Sequence, residues 1–278
     1  MALTINTNVN SLNAQRNLSM SQSSLSTSMQ RLSSGLRVNS AKDDAAGLAI
    51  AERMSSQVRG MNVAIRNAND GISMSQTAEG SLGRVADSLQ RMRELTVQAA
   101  NVSNSTSDKV SIGKEYSELA KEITRVIAGT TFNGTAILAT SVTQTFQVGP
   151  GTTANDVIDV VPTDFTATAG LTDATAAVID GTTDNTAAKA IITLLDTALD
   201  TINSARATMG ATQSRFDSVI TNLQVSVENQ SAARSRIMDA DFAAETANLS
   251  RAQILQQAGN AMVAQANQQP QQVMTLLR

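Results

Sequence analysis

The sequence lacks cysteine, histidine and tryptophan altogether, and its 278 residues include one tyrosine and five phenylalanines. Without cysteine, the chain has no means of forming a disulfide, a thiol nucleophile or a thiolate-bound metal centre. Without histidine, it lacks the commonest general base and the commonest ligand of transition metals. We therefore predict that the chain is not an enzyme and that it holds no cofactor and no metal ion.

Charge is also scarce, since only 16% of the residues are charged and the formal net charge is −3. A mildly acidic chain with few aromatic residues lacks the basic surface and the stacking side chains that nucleic-acid binding requires. No apolar run approaches the ~18–20 residues of a membrane span, and the first residues lack the features of a cleaved signal peptide. We expect no nucleic-acid partner, no membrane span and no cleaved signal.

The two ends of the chain are polar but almost without acidic charge. Residues 1–40 and residues 251–278 contain arginine, yet neither segment contains an acidic residue. Segments of this kind are too polar to fold alone and carry too little charge to repel one another. We predict that they are buried against each other or against copies of themselves.

Apolar residues that recur at alternating spacings of three and four predict long helices with coiled-coil packing. The two longest seams run over residues 58–89 and 191–223. Because such a seam more often forms an intrachain core than an interface, we assign the seam over residues 58–89 to the core; the seam over residues 191–223 matches it in length. The seams near the two ends are interpreted differently, as assembly surfaces, because those segments carry so little charge.

Local signals predict where several helices begin and end. Gly35 is a candidate helix terminator. Ser40–Asp43 and Ser105–Asp108 both have the pattern of a capping box that opens a helix. Pro270 is expected to perturb or end the last helix, because proline has no amide hydrogen and its ring clashes with the preceding turn.

Residues from about 130 to 185 differ from the rest, because they are rich in Thr, Gly, Asp and Val. Two strand-like runs, Thr143–Val148 and Asn155–Val160, flank a Gly-Pro-Gly turn and predict a β-hairpin. Phe132–Gly134 predicts another turn before it. The predicted fold class is mainly α: an elongated helical bundle or coiled coil of paired N- and C-terminal helices with a small β-hairpin insertion.

We predict two domains on this basis. Residues 1–42 and 236–278 form paired terminal helices, and residues 43–235 form a helical bundle with a β-rich insertion at about 130–185.

Two long motifs at opposite ends of the chain resemble the hallmarks of bacterial flagellins. Residues 31–50 read RLSSGLRVNSAKDDAAGLAI, and residues 250–262 read SRAQILQQAGNAM. The start, Ile5–Asn8, and the end, Thr275–Arg278, match the family as well. The similarity covers roughly residues 1–165 and 190–278. The chain departs from longer flagellins in its middle, because it has almost no variable outer domain.

The resemblance implies a structural subunit of the flagellar filament, exported unfolded and self-assembling into a helical propeller for swimming. The subunit would act outside the cell without a cleaved signal, as a homo-oligomer of many copies. Its other partners would be an export chaperone and the cap and hook-associated proteins. A hook–filament junction protein, which caps rather than polymerises, is the alternative within the same group. A secreted adhesin or immune agonist would bind without forming a polymer.

The candidate assembly residues are the apolar positions of the two terminal helices, which the resemblance places in the inner core of the filament. They are Leu18, Leu25, Met29, Leu32, Leu36, Leu255, Ala258 and Met262.

A second candidate surface lies at residues 89–95, which read LQRMREL. This run resembles the flagellin segment that a vertebrate Toll-like receptor recognises. The matching residues are Leu89, Gln90, Arg91 and Leu95, with Glu115 at the family's acidic position on the following helix. We predict that Arg91, Glu115 and Leu95 share one exposed face. The same segment also suits contacts between subunits.

Overall fold

The computed structural model describes the backbone of residues 7–276 and the side chains of residues 7–268. Helices dominate this part of the chain, with two short antiparallel hairpins between them. The helices are α1 (Val9–Ser34), α2 (Ala45–Ala99), α3 (Thr106–Gly129), α4 (Ala169–Ala176), α5 (Asn185–Met238) and α6 (Phe242–Leu276). The strands are β1 (Thr131–Phe132), β2 (Thr135–Ala136), β3 (Gln144–Gln147) and β4 (Val157–Val160). The predicted mainly α class with a small hairpin insertion is confirmed.

The chain divides into two compact units. Met1–Ser56 and Glu228–Arg278 form the first, which we call the terminal unit, and Gln57–Val227 form the second, the central unit. The division falls within α2 and α5, so each of these long helices contributes residues to both units.

The core of the central unit is built from the two long seams that the sequence predicted. On α2, Leu82 and Leu89 are fully buried, and on α5, Leu195 and Ile202 are fully buried. Ser75 interrupts the apolar seam of α2 with a buried hydroxyl group. This group is accommodated because its Oγ donates to the carbonyl of Gly71 within the helix at 2.9 Å. The seams of α2 and α5 therefore form an intrachain core, which was predicted for the seam of α2.

Helix α3 adds the third side of this core. The predicted capping box opens it: the amide of Asp108 donates to Ser105 Oγ at 3.2 Å, and Asp108 Oδ2 accepts from the amide of Ser105 at 3.0 Å. The hydrogen bonds from Ser105 lower the pKa of Asp108.

Tyr116, the single tyrosine of the chain, packs from α3 into the same core. Its hydroxyl donates to the carbonyl of Ala174 on α4 at 2.7 Å. Burial raises the pKa of this phenol above its usual value. Helix α4 was not predicted, because its eight residues are too few to establish a helical period.

The predicted hairpin is present as β3 and β4, which pair antiparallel with Phe146 opposite Ile158. It packs on the long helices of the central unit. The ring of Phe146 meets the ring of Phe216 on α5 edge to face, with centroids 5.5 Å apart. Asn67 on α2 donates from Nδ2 to the carbonyl of Gln147 at 2.9 Å. The turn predicted at Asn133–Gly134 joins β1 to β2, and both residues have positive φ.

In the terminal unit, α1 packs antiparallel along α6. Gly35 ends α1 as predicted, with a φ of 72° and its amide bonded to the carbonyl of Arg31 at 2.8 Å. The chain beyond Gly35 then pairs with the α5–α6 junction, where the amide of Arg37 donates to the carbonyl of Met238 at 2.6 Å. The predicted pairing of the terminal helices is confirmed.

The start of α2 differs from the prediction. Asp43 Oδ2 accepts from the amide of Ser40 at 2.9 Å, but these residues form a turn rather than the first turn of a helix. Helix α2 begins at Ala45 instead, where Asp44 Oδ1 accepts from the amide of Gly47 at 2.8 Å. Asp43 and Asp44 are both suitable N-cap residues, and Asp44 is the one at the start of α2.

Of the two outcomes predicted for Pro270, an end of the last helix is wrong, because α6 continues to Leu276, and a perturbation within it remains. Proline within a helix leaves the carbonyl four residues earlier without its usual amide donor. That carbonyl belongs to Ala266, and the side-chain Nδ2 of Asn8 donates to it at 2.8 Å. The side chain of Asn8, at the start of α1, therefore supplies the hydrogen-bond donor that Pro270 lacks.

Candidate assembly and recognition surfaces

The contact between α1 and α6 is made by small and polar residues as much as by large apolar ones. On both helices the least exposed positions recur at spacings of three and four, which is the pattern of a coiled-coil seam. On α1 they are Ser11, Ala14, Leu18, Ser21, Leu25, Ser28 and Leu32. On α6 they are Glu245, Leu249, Ala252, Gln256, Gly259, Val263 and Ala266.

Glycine allows the two helices to approach closely at one point of this seam. A Cβ atom placed on Gly259 would lie 3.1 Å from Cδ1 and 3.6 Å from Cβ of Leu18. Leu18 therefore fills the space that the missing side chain leaves.

Polar contacts mark both ends of the seam. At one end, Ser11 Oγ donates to Asn267 Oδ1 at 2.8 Å. At the other end, Arg31 approaches the buried Glu245 at 3.8 Å, measured between Nη1 and Oε2. Since Arg31 Nε is buried without a hydrogen-bond partner among the described residues, this ion pair is only partly satisfied.

Large apolar side chains stand on the outer faces of the same two helices. The exposed fraction is 56% for Met20, 57% for Met29, 50% for Leu255 and 59% for Met262. Every other methionine whose side chain is described is buried or half-buried. The exposed methionines of the described residues thus lie on α1 and α6 alone.

A groove follows one side of the α1–α6 pair. It has two sections, of about 730 and about 500 Å³, which share Asn17, Ser21 and Leu255 in their walls. Met20 lines the first section, and Met262 lines the second. The groove therefore combines an apolar edge with hydroxyl and amide groups; its first section also contains Arg31, Glu245 and Arg251, whereas its second section is lined by uncharged residues.

The second candidate surface surrounds Arg91 in the central unit. Arg91 is half exposed and bridges two carboxylates: its Nε donates to Glu115 Oε1 at 2.9 Å, and its Nη1 donates to Glu94 Oε2 at 2.9 Å. The hydrogen bonds to Glu94 and Glu115 raise the pKa of Arg91. Next to this group, Arg93 donates from Nε to Asp196 Oδ1 on α5 at 2.7 Å.

Comparison with known proteins gives these surfaces a context. The bacterial flagellin N-terminal helical region matches residues 5–143, and the bacterial flagellin C-terminal helical region matches residues 192–277. A flagellin of Halalkalibacterium halodurans is 43% identical over 276 residues, which cover 99% of both chains. The chain belongs to the bacterial flagellins. A flagellin of Xenorhabdus nematophila is 44% identical and one of Bacillus subtilis is 41% identical, each over at least 99% of both chains.

Membership of this family identifies the chain as a structural subunit of the flagellar filament and not as an enzyme. The full-length matches to flagellins do not favour the alternative of a hook–filament junction protein. Within residues 7–276, no helix is both long and apolar enough to cross a membrane.

The eight predicted assembly residues of this flagellin fall into two groups. Leu18, Leu25, Leu32 and Leu36 are half-buried, and the first three lie on the seam towards α6. Met29, Leu255, Ala258 and Met262 are exposed.

The small seam residues of this flagellin, such as Ser11, Ser28 and Gly259, were not predicted, because the predicted assembly residues are mostly large aliphatic side chains. Their position in the same alternating spacing of three and four as the large apolar seam residues is the signal that identifies them.

The predicted exposed face of Arg91, Glu115 and Leu95 needs a correction, because Leu95 is only 2% exposed. Leu89 is fully buried as well. Both leucines belong to the core seam of α2, whose period of three and four turns them inwards. Gln90, Arg91 and Glu115 are the members of the predicted set that reach the surface.

Proposed function

We propose that this flagellin is exported unfolded and polymerises outside the cell through its α1–α6 pair into the filament that drives swimming. The partners during this process would be an export chaperone and the cap and hook-associated proteins. The observation that carries the proposal is the exposed apolar edge of the α1–α6 groove, formed by Met20, Leu255 and Met262.

The two groups of assembly residues would then have different roles. Leu18, Leu25 and Leu32 hold α1 against α6 within one chain, and Leu36 packs near Val38 where α1 meets the next segment. Met29, Leu255, Ala258 and Met262 are left for neighbouring subunits. Burial of a leucine or methionine side chain contributes roughly 1.5–3 kcal/mol. A few such residues, repeated at every subunit, are enough to drive polymerisation.

Substitution of the exposed pair tests the assembly proposal. We expect Leu255→Glu and Met262→Glu each to raise the critical concentration for polymerisation at least tenfold, because a carboxylate would have to be desolvated in the subunit contact. Sedimentation and negative-stain electron microscopy after addition of ammonium sulfate measure the polymer. The matched control is Val102→Glu, at an 89% exposed position of the central unit. Unchanged polymerisation of both groove variants would refute the assignment of this face.

We also propose that the surface around Arg91 is recognised by the Toll-like receptor for flagellin. Arg91 supports this proposal because an exposed arginine held by two carboxylates is a pre-oriented anchor of the kind found at interface hot spots. Gln90 and Glu115 would complete the contact. Leu89 and Leu95 would act indirectly, by fixing the position of α2 in the core.

The receptor proposal is tested with Arg91→Ala in a cell-based reporter assay of receptor activation. We expect the concentration for half-maximal response to rise at least tenfold, since truncation of a hot-spot residue costs about 2 kcal/mol or more. Arg125→Ala is the control, because Arg125 is an exposed arginine that is likewise paired with a carboxylate, that of Glu122 on α3. Equal responses from the two variants would contradict the proposal.

A further inference from the structure

The seam between α1 and α6 repeats itself every seven residues. On α1, Leu18, Leu25 and Leu32 are separated by seven residues, and on α6, Ala252, Gly259 and Ala266 are separated by seven residues. The observed contact pairs Leu18 with Gly259, and the same register places Leu25 opposite Ala252. A slip by one heptad that moves Leu18 to Ala266 would place Leu25 and Leu32 opposite Gly259 and Ala252, so these residues discriminate poorly between the two registers.

The polar contacts at the two ends of the seam do not repeat along it, and one of them compensates for a missing backbone hydrogen bond. Pro270 has no amide hydrogen, so the carbonyl of Ala266 lacks its usual helical donor in the interior of α6. Asn8 supplies a substitute, because its Nδ2 donates to that oxygen at 2.8 Å. The same side chain accepts from the amide of Ser11 through Oδ1 at 3.1 Å and so caps α1. One amide group therefore serves the start of α1 and the gap in α6 together.

We propose that Asn8 and Pro270 together set the axial register of α1 against α6. Proline leaves one carbonyl in the interior of α6 without its helical amide donor, and Asn8 can satisfy it in one register only. A slip by one heptad removes the Asn8 donor from the half-buried carbonyl of Ala266, and the loss of a hydrogen bond to a polar group that is partly shielded from water costs free energy. Polar residues at single coiled-coil positions fix register in the same way. The ion pair of Arg31 with Glu245, at 3.8 Å, is too loosely made to fix the register alone.

This inference rests on the proposed function, because the register decides which side chains line the groove offered to neighbouring subunits. With the observed register, Leu255 and Met262 of α6 lie beside Asn17 and Asn13 of α1 in its walls. A shifted register would change these neighbours along the whole groove. Asn8 is therefore a positioning residue, which acts on assembly through the α1–α6 pair.

A double-mutant cycle tests the coupling between the two residues. Asn8→Asp keeps the oxygen that caps α1 but removes the Nδ2 donor, and Pro270→Ala returns an amide donor to the carbonyl of Ala266. The readout of register is the yield of an engineered cross-link between Leu18→Cys and Gly259→Cys, measured on non-reducing gels of the full chain. The slipped pair, Leu18→Cys with Ala266→Cys, is measured in parallel.

We expect Asn8→Asp to lower the yield of the 18–259 cross-link at least fivefold, and to raise that of the slipped pair, when Pro270 is present. The same substitution should change the yield less than twofold in the Pro270→Ala chain, where the carbonyl no longer needs Asn8. Equal effects in both backgrounds would show that Asn8→Asp acts only at the start of α1, and would overturn the proposal. No effect in either background would overturn it as well.

Polymerisation separates this inference from the proposed function. If the chain with Asn8 and Pro270 fails to polymerise while the cross-links remain coupled, the assembly proposal fails and the register proposal stands. If the chain polymerises but the two substitutions are additive, the register proposal fails alone.

Discussion

Leu18→Cys combined with Gly259→Cys should give a chain that oxidises almost completely to an intrachain disulfide and still forms filaments. The Cβ positions of residues 18 and 259 are 3.6 Å apart, a separation that suits a disulfide. No native cysteine competes, since the chain has none. Closing a loop of this length stabilises the folded chain by up to about 5 kcal/mol in the chain-entropy model.

Filament formation by the oxidised chain is the informative part of this experiment. If α1 and α6 of one chain remain paired in the polymer, as proposed, the disulfide leaves assembly intact and raises the temperature at which filaments dissociate. The control pair is Leu18→Cys with Ile254→Cys, because Ile254 is 65% exposed and should not reach residue 18 of its own chain. Disulfide-linked dimers from the 18–259 pair, or oxidised chains that no longer polymerise, would contradict intrachain pairing in the filament.

Gly113→Ala is expected to destabilise the central unit by about 1–3 kcal/mol, the usual cost of overpacking. A Cβ atom on Gly113 would overlap the carbonyl oxygen of Ile179, which is backbone and has little freedom to move. The chain on either side of Ile179 is held to α3 by Tyr116, which bonds to Ala174, and by Lys109, whose Nζ donates to the carbonyl of Thr183 at 2.7 Å. To relieve this overlap the backbone at Ile179 would have to move away from α3, which would strain the hydrogen bonds made by Tyr116 and Lys109.

Gly80→Ala provides the matched control within a helix. A Cβ atom at residue 80 would meet nothing within 4 Å, so this change should stabilise the chain by about 0.5–1 kcal/mol through helix propensity alone. Denaturant unfolding followed by circular dichroism measures both variants. If Gly113→Ala stabilised the chain as Gly80→Ala does, the close approach of α3 to Ile179 would be disproved.

The order of the main helices and of the hairpin along the chain was predictable, because the periodicity of the core seams is strong. The seams of α2 and α5, the cap at Ser105 and the hairpin around residues 149–151 all follow from local patterns. Helix α4 and the start of α2 did not follow, since short helices and adjacent cap residues give ambiguous local signals. The continuation of α6 through Pro270 did not follow either, and the side chain that donates to the carbonyl left without an amide, Asn8, lies 258 residues earlier in the chain than Ala266.

The candidate surfaces were predictable in part, for a physical reason. A motif indicates which residues matter but not which of them face the solvent. In the run at residues 89–95, Arg91 is half exposed and Leu95 is buried, because the helical period turns neighbouring motif residues in different directions. On α6, large apolar residues such as Leu255 lie outside the seam, and the small residue Gly259 lies within it.

Tyr116 gives the chain a built-in optical reporter. With one tyrosine and no tryptophan, nearly all intrinsic near-ultraviolet absorbance and fluorescence come from a single phenol beneath α4. At alkaline pH that phenol stays neutral while the protein is folded, because its pKa is raised, and it ionises when the central unit opens. The absorbance change of tyrosinate formation therefore follows the opening of the central unit, with no label added to the chain.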